Sequence, residues 1–254
     1  MDLARDLRLV RVLTSANIQS RYRNTFYGFL WVVMNPILTY AVQVFAFTII
    51  FQVKSFNYPV YLLAGLFPWM FILQSVEMCT SIFLFNATMI KNIPMSPMLL
   101  VLVQVLDNLS NFLSAYLILI LYFVFTHTLS ILNVGYILIP TIPLLISVIS
   151  LCFIFSLYNV RYRDLRFVVS FAFSLLFYLT PIFYHLELVP ERMRFIVYSN
   201  PFFYLIKPFQ DILMSNGDII FPKSLLPAFW LSAILASLAF IAWRRMKKFL
   251  VFYV

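Results

Sequence analysis

The residues able to carry acid–base chemistry are few in this chain and lie far apart. Only two acids, Glu77 and Asp107, fall inside long apolar runs, and both histidines, His127 and His185, fall at the edges of such runs. A proton-coupled carrier would need a chain of acids facing basic or histidine partners. Two scattered acids therefore favour helix packing or the wall of a wet cavity over a proton relay.

Motifs for nucleotide hydrolysis and for metal catalysis are absent from the sequence. The chain has four glycines, and none of them forms part of a GxxxxGK[ST] phosphate loop. HExxH, CxxC and GxSxG do not occur either. We therefore expect this chain to be no enzyme, with no cofactor or metal site. Cys79 and Cys152 fall within apolar runs, where packing is the expected role.

The clearest candidates for binding an anion are the arginines before the first apolar run: Arg5, Arg8, Arg11, Arg21 and Arg23. On a helical wheel of residues 3–19, Arg8 and Arg11 share one face, and Leu3, Leu7, Val10 and Ile18 lie opposite. A basic amphipathic helix suits the inner surface of a membrane. The segment is either a topological anchor or a helix that meets a transport path or a cytoplasmic partner.

The elements that position these residues follow from the composition. The 254 residues are 63% hydrophobic and 11% charged, with a mean hydropathy of +0.96, whereas soluble domains carry about 25% charged residues. The net charge of +9 is therefore no sign of nucleic-acid binding, and no cleavable signal peptide is expected. We predict an all-α integral membrane fold in a single domain, 1–254. Six runs are long enough to span a bilayer: 26–51, 60–85, 98–126, 134–157, 167–184 and 225–243.

The basic residues orient these spans. Thirteen Lys and Arg fall on the side of the two termini and five on the other, so the positive-inside rule makes both termini cytoplasmic. Residues 185–222 remain outside the six spans, because Asn200-Pro201 and Asp211 suit the middle of a bilayer poorly. We expect this segment to be re-entrant, with two short helices and a break at Asn200-Pro201.

Two loops and one set of aromatic residues leave alternatives open. The internal turn 89–97 carries one charge, two prolines and exposed Ile and Met, which fits equally a docking element and a plain turn. The arginines of the loop 158–166 enforce topology or pair weakly with Asp164. The aromatic residues near the first span either face lipid or form a stacking path for a sugar chain: Phe26, Tyr27, Trp31 and Tyr40.

Four segments in order give the chain a resemblance to the transmembrane permeases of bacterial ABC exporters for O-antigen, teichoic acid and capsule. They are RYRNTFYGFLWVVMNP at 21–36, LLAGLFPWMFI at 62–72, IKNIPMSP at 90–97 and the long segment 181–211. The resemblance covers nearly the whole chain. It implies a multi-pass protein of the bacterial cytoplasmic (inner) membrane.

The resemblance also implies roles for particular residues. Residues 3–23 would form a gate helix whose arginines meet a lipid pyrophosphate. The turn at 89–97 would be a coupling helix on a separate ATPase subunit, through Ile90, Lys91, Asn92, Ile93 and Pro94. Two copies of the chain and two ATPase subunits, which bind the ATP and Mg²⁺, would export an undecaprenyl-pyrophosphate-linked glycan.

Two other functions compete with this one. A permease of the same fold could export a drug or a simple lipid, although such relatives usually lack the basic gate helix and the long aromatic segment. A membrane enzyme acting on a polyprenyl phosphate would need clustered acids near an interface, and Asp107 and Asp164 are isolated in the sequence.

Overall fold

The computed structural model describes residues 3–22, 30–46, 58–92, 95–126, 135–214 and 222–253. Regular structure in these residues is helical. The α-helices are α1 (Leu3–Tyr22), α2 (Leu30–Phe45), α3 (Tyr58–Thr80), α4 (Ile82–Phe85), α5 (Ala87–Asn92), α6 (Met98–Thr126), α7 (Leu138–Arg161), α8 (Leu165–Leu179), α9 (Arg194–Ser199), α10 (Pro201–Met214) and α11 (Leu225–Tyr253). Two 3₁₀ turns, Leu186–Leu188 and Glu191–Met193, precede α9.

Helix α3 is the centre of the bundle. It is apolar around its whole circumference, and α6, α7, α8 and α10 pack against it. A helix that is hydrophobic on every side must be buried among others or in lipid. Trp69 on this helix illustrates the packing, since its ring lies 6.0 Å from Phe173 on α8 and 5.5 Å from Phe202 on α10, measured between centroids.

Four described helices are long and apolar enough to cross a membrane: α3, α6, α7 and α11. They correspond to predicted spans 60–85, 98–126, 134–157 and 225–243. Helix α2 lies in the predicted span 26–51, whose ends are outside the described residues. Helix α8 has 15 residues, or about 22 Å at 1.5 Å per residue, against a hydrocarbon core of about 30 Å. The six-span arrangement therefore stays a prediction.

The prolines explain where helices end in the second half of the chain. Predicted span 167–184 ends as a helix at Leu179, because Thr180 precedes Pro181 and adopts extended backbone. The predicted break at Asn200-Pro201 is present between α9 and α10. There the Asn200 side-chain oxygen accepts a hydrogen bond from the Phe202 amide at 3.0 Å and caps α10, with proline as its first residue.

Helix α3 also ends earlier than predicted. The run 60–85 is divided at Ser81, after which the short helices α4 and α5 precede α6. The Thr80 hydroxyl donates to the Val76 carbonyl at 2.6 Å, and the Asn86 amide donates to the Ile82 carbonyl at 2.9 Å. Side chains that bond to the preceding turn compete with continuation of the helix.

Candidate functional site at the basic end of the bundle

One end of the bundle gathers the end of α3, the start of α6, the end of α7 and the start of α8. Glu77 and Phe85 line a cavity of about 330 Å³ with Arg166 and Ser170, and the Ser170 hydroxyl donates to the Glu77 carboxylate at 3.0 Å. A second cavity lies between Ser96 and Met98, the middle of α7 and the stretch of α11 from Ala236 to Trp243. The guanidinium of Arg244, the next residue, lies 4.7 Å from the centre of the Phe240 ring in this lining. We call this the basic end, because Lys91, Arg161, Arg163, Arg166, Arg244 and Arg245 belong to the elements that meet here.

The predicted coupling turn, 89–97, lies at the basic end, and its first four residues belong to α5. Lys91 and Asn92 are exposed, whereas Met89, Ile90 and Met95 are half-buried and pack against the core. The expectation of exposed Ile and Met was therefore wrong for these three residues, because the turn folds back onto the helices it connects. Ile93 and Pro94 lie outside the described residues. The exposed residues described within the turn are thus the polar pair Lys91 and Asn92.

The predicted gate helix is present as a helix, α1, that packs against α6. Arg8 and Arg11 are exposed, and Val10 and Leu13 are half-buried. Of the apolar face that the helical wheel predicts, Val10 is the residue whose side chain is described, so the amphipathic gate helix stays a prediction. Arg5 and Arg21 also lie on α1, and Arg23 lies outside the described residues. The contact of these arginines with a pyrophosphate stays a prediction.

Among the aromatic candidates for a sugar path, Tyr40 is the one whose side chain is described. It is half-buried on α2, its hydroxyl donates to the Pro59 carbonyl at 3.4 Å, and its ring centroid lies 6.4 Å from that of Phe67. These contacts join α2 to α3 within the chain. Trp31 lies on α2, and Phe26 and Tyr27 lie outside the described residues.

The acids inside the helices are held by polar neighbours that the sequence reasoning did not select. Asp107 is buried on α6, with 2% of its surface exposed, and the Gln104 amide lies 3.5 Å from its carboxylate. The next residue, Asn108, donates to the Ser75 hydroxyl on α3 at 3.3 Å. Polar side chains at i, i+3 and i+4 share a helix face, which is the signal that could have found this group.

The opposite end of the bundle is closed by a set of hydrogen bonds that we call the carbonyl clamp. Donors from α3 and α10 bond the main chain after α8. The Tyr61 hydroxyl lies 2.9 and 2.8 Å from the carbonyl oxygens of Pro181 and Tyr184, which share its one proton. Tyr58 donates to the carbonyl of Phe183 at 2.9 Å, and the Gln210 amide donates to that of Pro181 at 2.8 Å. The clamp fixes residues 181–184, the end of the predicted span 167–184, against the central helix just before the predicted re-entrant segment.

Charged groups lie next to the clamp at the same end of the bundle, which we call the far end. The Lys207 ammonium lies 2.9 Å from the Asp211 carboxylate, which also accepts a 2.6 Å hydrogen bond from Ser224 at the start of α11. The His185 ring lies 3.9 Å from the Tyr61 ring. Burial lowers the pKa of His185 below its ordinary value of 6.5; Glu187 opposes this shift and Lys207 adds to it.

Comparison with known proteins identifies the family. Residues 8–214 match the family model described as "ABC-2 type transporter". An O-antigen export system permease protein RfbA of Klebsiella pneumoniae is 32% identical over 212 residues, 83% of this chain and 82% of that protein. The protein of the same name from Myxococcus xanthus is 30% identical over 209 residues, 80% of this chain and 79% of that one. This chain belongs to the ABC-2 type transporter family of multi-pass permeases of the cytoplasmic membrane.

Proposed function

We propose that this chain is the permease of an ABC exporter that moves an undecaprenyl-pyrophosphate-linked polysaccharide out across the cytoplasmic membrane. The observation that carries the proposal is the identity of 30–32% with O-antigen export permeases over at least 80% of the chain. The basic helix α1 and the aromatic segment 181–211 also support the proposal, because permeases that export a drug or a simple lipid usually lack both.

The energy for transport comes from a separate ATPase subunit in this proposal. The sequence contains no P-loop of its own. Two ATPase subunits bind ATP and Mg²⁺ and dock on two copies of this permease. Lys91 and Asn92 are the described exposed residues of the coupling turn, and they face the ATPase together with Ile93 and Pro94. When the ATPases bind ATP and close, they displace this turn together with the end of α3 and the start of α6.

The lipid pyrophosphate is received by the arginines of the gate helix. Arg8 and Arg11 are one helical turn apart on the exposed face of α1, and Arg5, Arg21 and Arg23 extend the basic segment. A guanidinium forms paired hydrogen bonds with phosphate oxygens. Several arginines on one side of a helix therefore suit a group with more than one negative charge.

A deletion strain tests the substrate. Without the gene, glycan-loaded undecaprenyl pyrophosphate should accumulate inside the cell and surface polysaccharide should disappear, and the wild-type gene should restore both. An unchanged surface polysaccharide would contradict the proposal, and an accumulated drug or simple lipid would favour the alternative. Isolation of the permease from its host should also yield an ATPase subunit in equal amount; transport without ATP by the permease alone would exclude any ABC exporter.

The coupling turn is tested by Lys91→Glu combined with Ile93→Asp. ATP hydrolysis by the complex should continue while glycan export is lost, because the turn no longer fits the ATPase surface. Lys223→Glu is the matched control, since Lys223 is also an exposed lysine but lies at the far end. Export that survives the double substitution would show that the turn is not the coupling element.

A further inference from the structure

A cavity of about 750 Å³ opens at the basic end between the end of α7 and the start of α8. The apolar part of its lining includes Ile154, Phe155 and Val168. Its rim is polar and includes Arg161, Tyr162 and Arg163. The volume lies within the range of ordinary ligand pockets, about 300–1,000 Å³. A cavity with a basic rim and an apolar wall suits an amphiphile with an anionic head.

We propose that this cavity binds an anionic phospholipid, with the phosphodiester at Arg161 and Arg163 and the first part of an acyl chain against the apolar wall. The guanidinium of Arg161 lies 5.3 Å from the centre of the Tyr162 ring, which restrains it at the rim. Arginine matches phosphate oxygens with paired hydrogen bonds. The Tyr158 side chain, also part of the lining, adds a hydroxyl donor.

The charge of the lining selects among phosphate-bearing lipids. Asp164 lines the cavity with Arg161 and Arg163, so these three side chains carry a combined charge of +1 at neutral pH. One positive charge complements a phosphodiester, which has a single negative charge. A pyrophosphate carries more negative charge and would face Asp164 without a matching cation, so this cavity is a poor site for the proposed export substrate.

The position of the cavity fits the same ligand. It lies at the end of α7, a helix long and apolar enough to cross a membrane, and the ends of such helices lie near the lipid head groups. Phe167 beside the cavity and Val168 in its lining are largely exposed, at 68% and 60%, so apolar side chains surround the opening of the cavity. The inference requires insertion in a membrane but does not depend on the transported substrate.

Arg166 provides a matched control within the same loop and helix. Its guanidinium lies 5.8 Å from the centre of the Phe167 ring and lines the other cavity, with Glu77 and Ser170. Removing the charge of Arg166 changes the net charge and the topology signal by one unit, as removing Arg161 or Arg163 does. It leaves the lining of the proposed lipid site unchanged.

The test measures lipid binding to the purified protein, with any ATPase that co-purifies, by native mass spectrometry. The probes are short-chain phosphatidylglycerol, diacylglycerol with the same chains, and undecaprenyl pyrophosphate. Phosphatidylglycerol should bind more tightly than diacylglycerol, and the double variant Arg161→Gln with Arg163→Gln should weaken it at least about tenfold, the loss expected for one or more charge-assisted hydrogen bonds. Arg166→Gln should change binding less than about twofold.

A second variant addresses the apolar wall without altering charge. Val168→Trp should fill the cavity and also weaken phosphatidylglycerol binding. Arg161→Lys with Arg163→Lys should retain part of the affinity, because it keeps the charge but loses the paired geometry. Variants are compared only when their unfolding temperatures match that of the wild type. Equal losses from Arg166→Gln, equal binding of diacylglycerol, or tighter binding of undecaprenyl pyrophosphate at this site would each overturn the proposal.

Discussion

The carbonyl clamp predicts strong coupling between Tyr61 and Gln210. Both side chains are buried, with 3% and 2% of their surfaces exposed, and both donate to the Pro181 carbonyl, at 2.9 and 2.8 Å. Either donor alone can satisfy that oxygen. The two single variants, Tyr61→Phe and Gln210→Leu, therefore leave Pro181 bonded, and the double variant removes both of its described donors.

The magnitudes follow from this geometry. Gln210→Leu loses one net hydrogen bond, which is worth about 0.5–1.5 kcal/mol in soluble proteins and about 0.6 kcal/mol on average in a membrane. Tyr61→Phe removes the hydroxyl that serves both Pro181 and Tyr184, so its cost lies toward the upper end of that range. The double variant additionally leaves a buried carbonyl oxygen without those donors, at a cost of about 1–3 kcal/mol. We therefore expect the double variant to exceed the sum of the singles by roughly 1–2 kcal/mol, well above the additivity error of about 0.3–0.5 kcal/mol.

The assay is reversible unfolding in mixed micelles, with the free energy of unfolding measured for the wild type, both singles and the double. Tyr204→Phe is the matched control, because the Tyr204 hydroxyl donates to the Tyr198 carbonyl at 2.9 Å in an exposed position outside the clamp. It should change stability by less than either single. Additive effects of Tyr61→Phe and Gln210→Leu would refute the shared-acceptor reasoning.

Three further predictions concern the same end of the bundle. A Cβ on Gly65 would lie 3.0 Å from the Gln210 amide nitrogen and 3.3 Å from the Ile182 backbone, so Gly65→Ala should lower the free energy of unfolding by about 1–3 kcal/mol. Gly135→Ala is the control, because a Cβ there would meet nothing within 4 Å. Equal unfolding free energies for the two variants would contradict this prediction. Asn200→Ala should lower the free energy of unfolding by about 1–2 kcal/mol, because Asn200 caps α10 and also donates to the Thr180 hydroxyl at 2.8 Å. Asn200→Ser should restore the cap but not the bond to Thr180. An alanine variant as stable as the wild type would exclude this role. Because the pKa of His185 is lowered in the folded chain, the unfolded chain binds more protons than the folded chain as the pH falls through 6.5. The unfolding temperature should therefore fall on acidification from pH 7.5 to about 5.5, and His185→Gln should make it depend less on pH. An unchanged pH dependence in this variant would contradict the prediction.

Local sequence signals predicted several elements because their physical causes are local. Helix α6 has the predicted bounds 98–126, since a long apolar run between a proline-containing turn and a polar stretch leaves few alternatives. Asn200-Pro201 marked a helix break, because asparagine caps helices and the residue before proline disfavours the helical region. The division of the 60–85 run was missed, since Thr80 and Asn86 end helices there through side-chain bonds that apolarity does not reveal.

The long-range contacts could not be predicted from one sequence. Tyr61 and Pro181 are separated by 120 residues, and their contact depends on how α3 and the segment after α8 pack. The half-burial of Ile90 has the same origin, because an apolar residue in a turn can face either a partner or its own core. The α7–α8 cavity combines residues that the sequence marked for topology only, and its apolar wall follows from the packing of the two helices.

The carbonyl clamp also has a consequence for how this segment can change during evolution. Its acceptors are main-chain oxygens, which every amino acid supplies, so substitutions at Phe183 and Tyr184 can leave these bonds in place. The donors are different, since only Tyr58, Tyr61 and Gln210 carry the required hydroxyl or amide group. Selection on these hydrogen bonds therefore acts on the side chains of the donors and not on those of the acceptors. Correlated substitutions between the donor positions and the acceptor segment should be rare. Methods that infer contacts from correlated substitutions would therefore underestimate the contact between these donors and the acceptor segment.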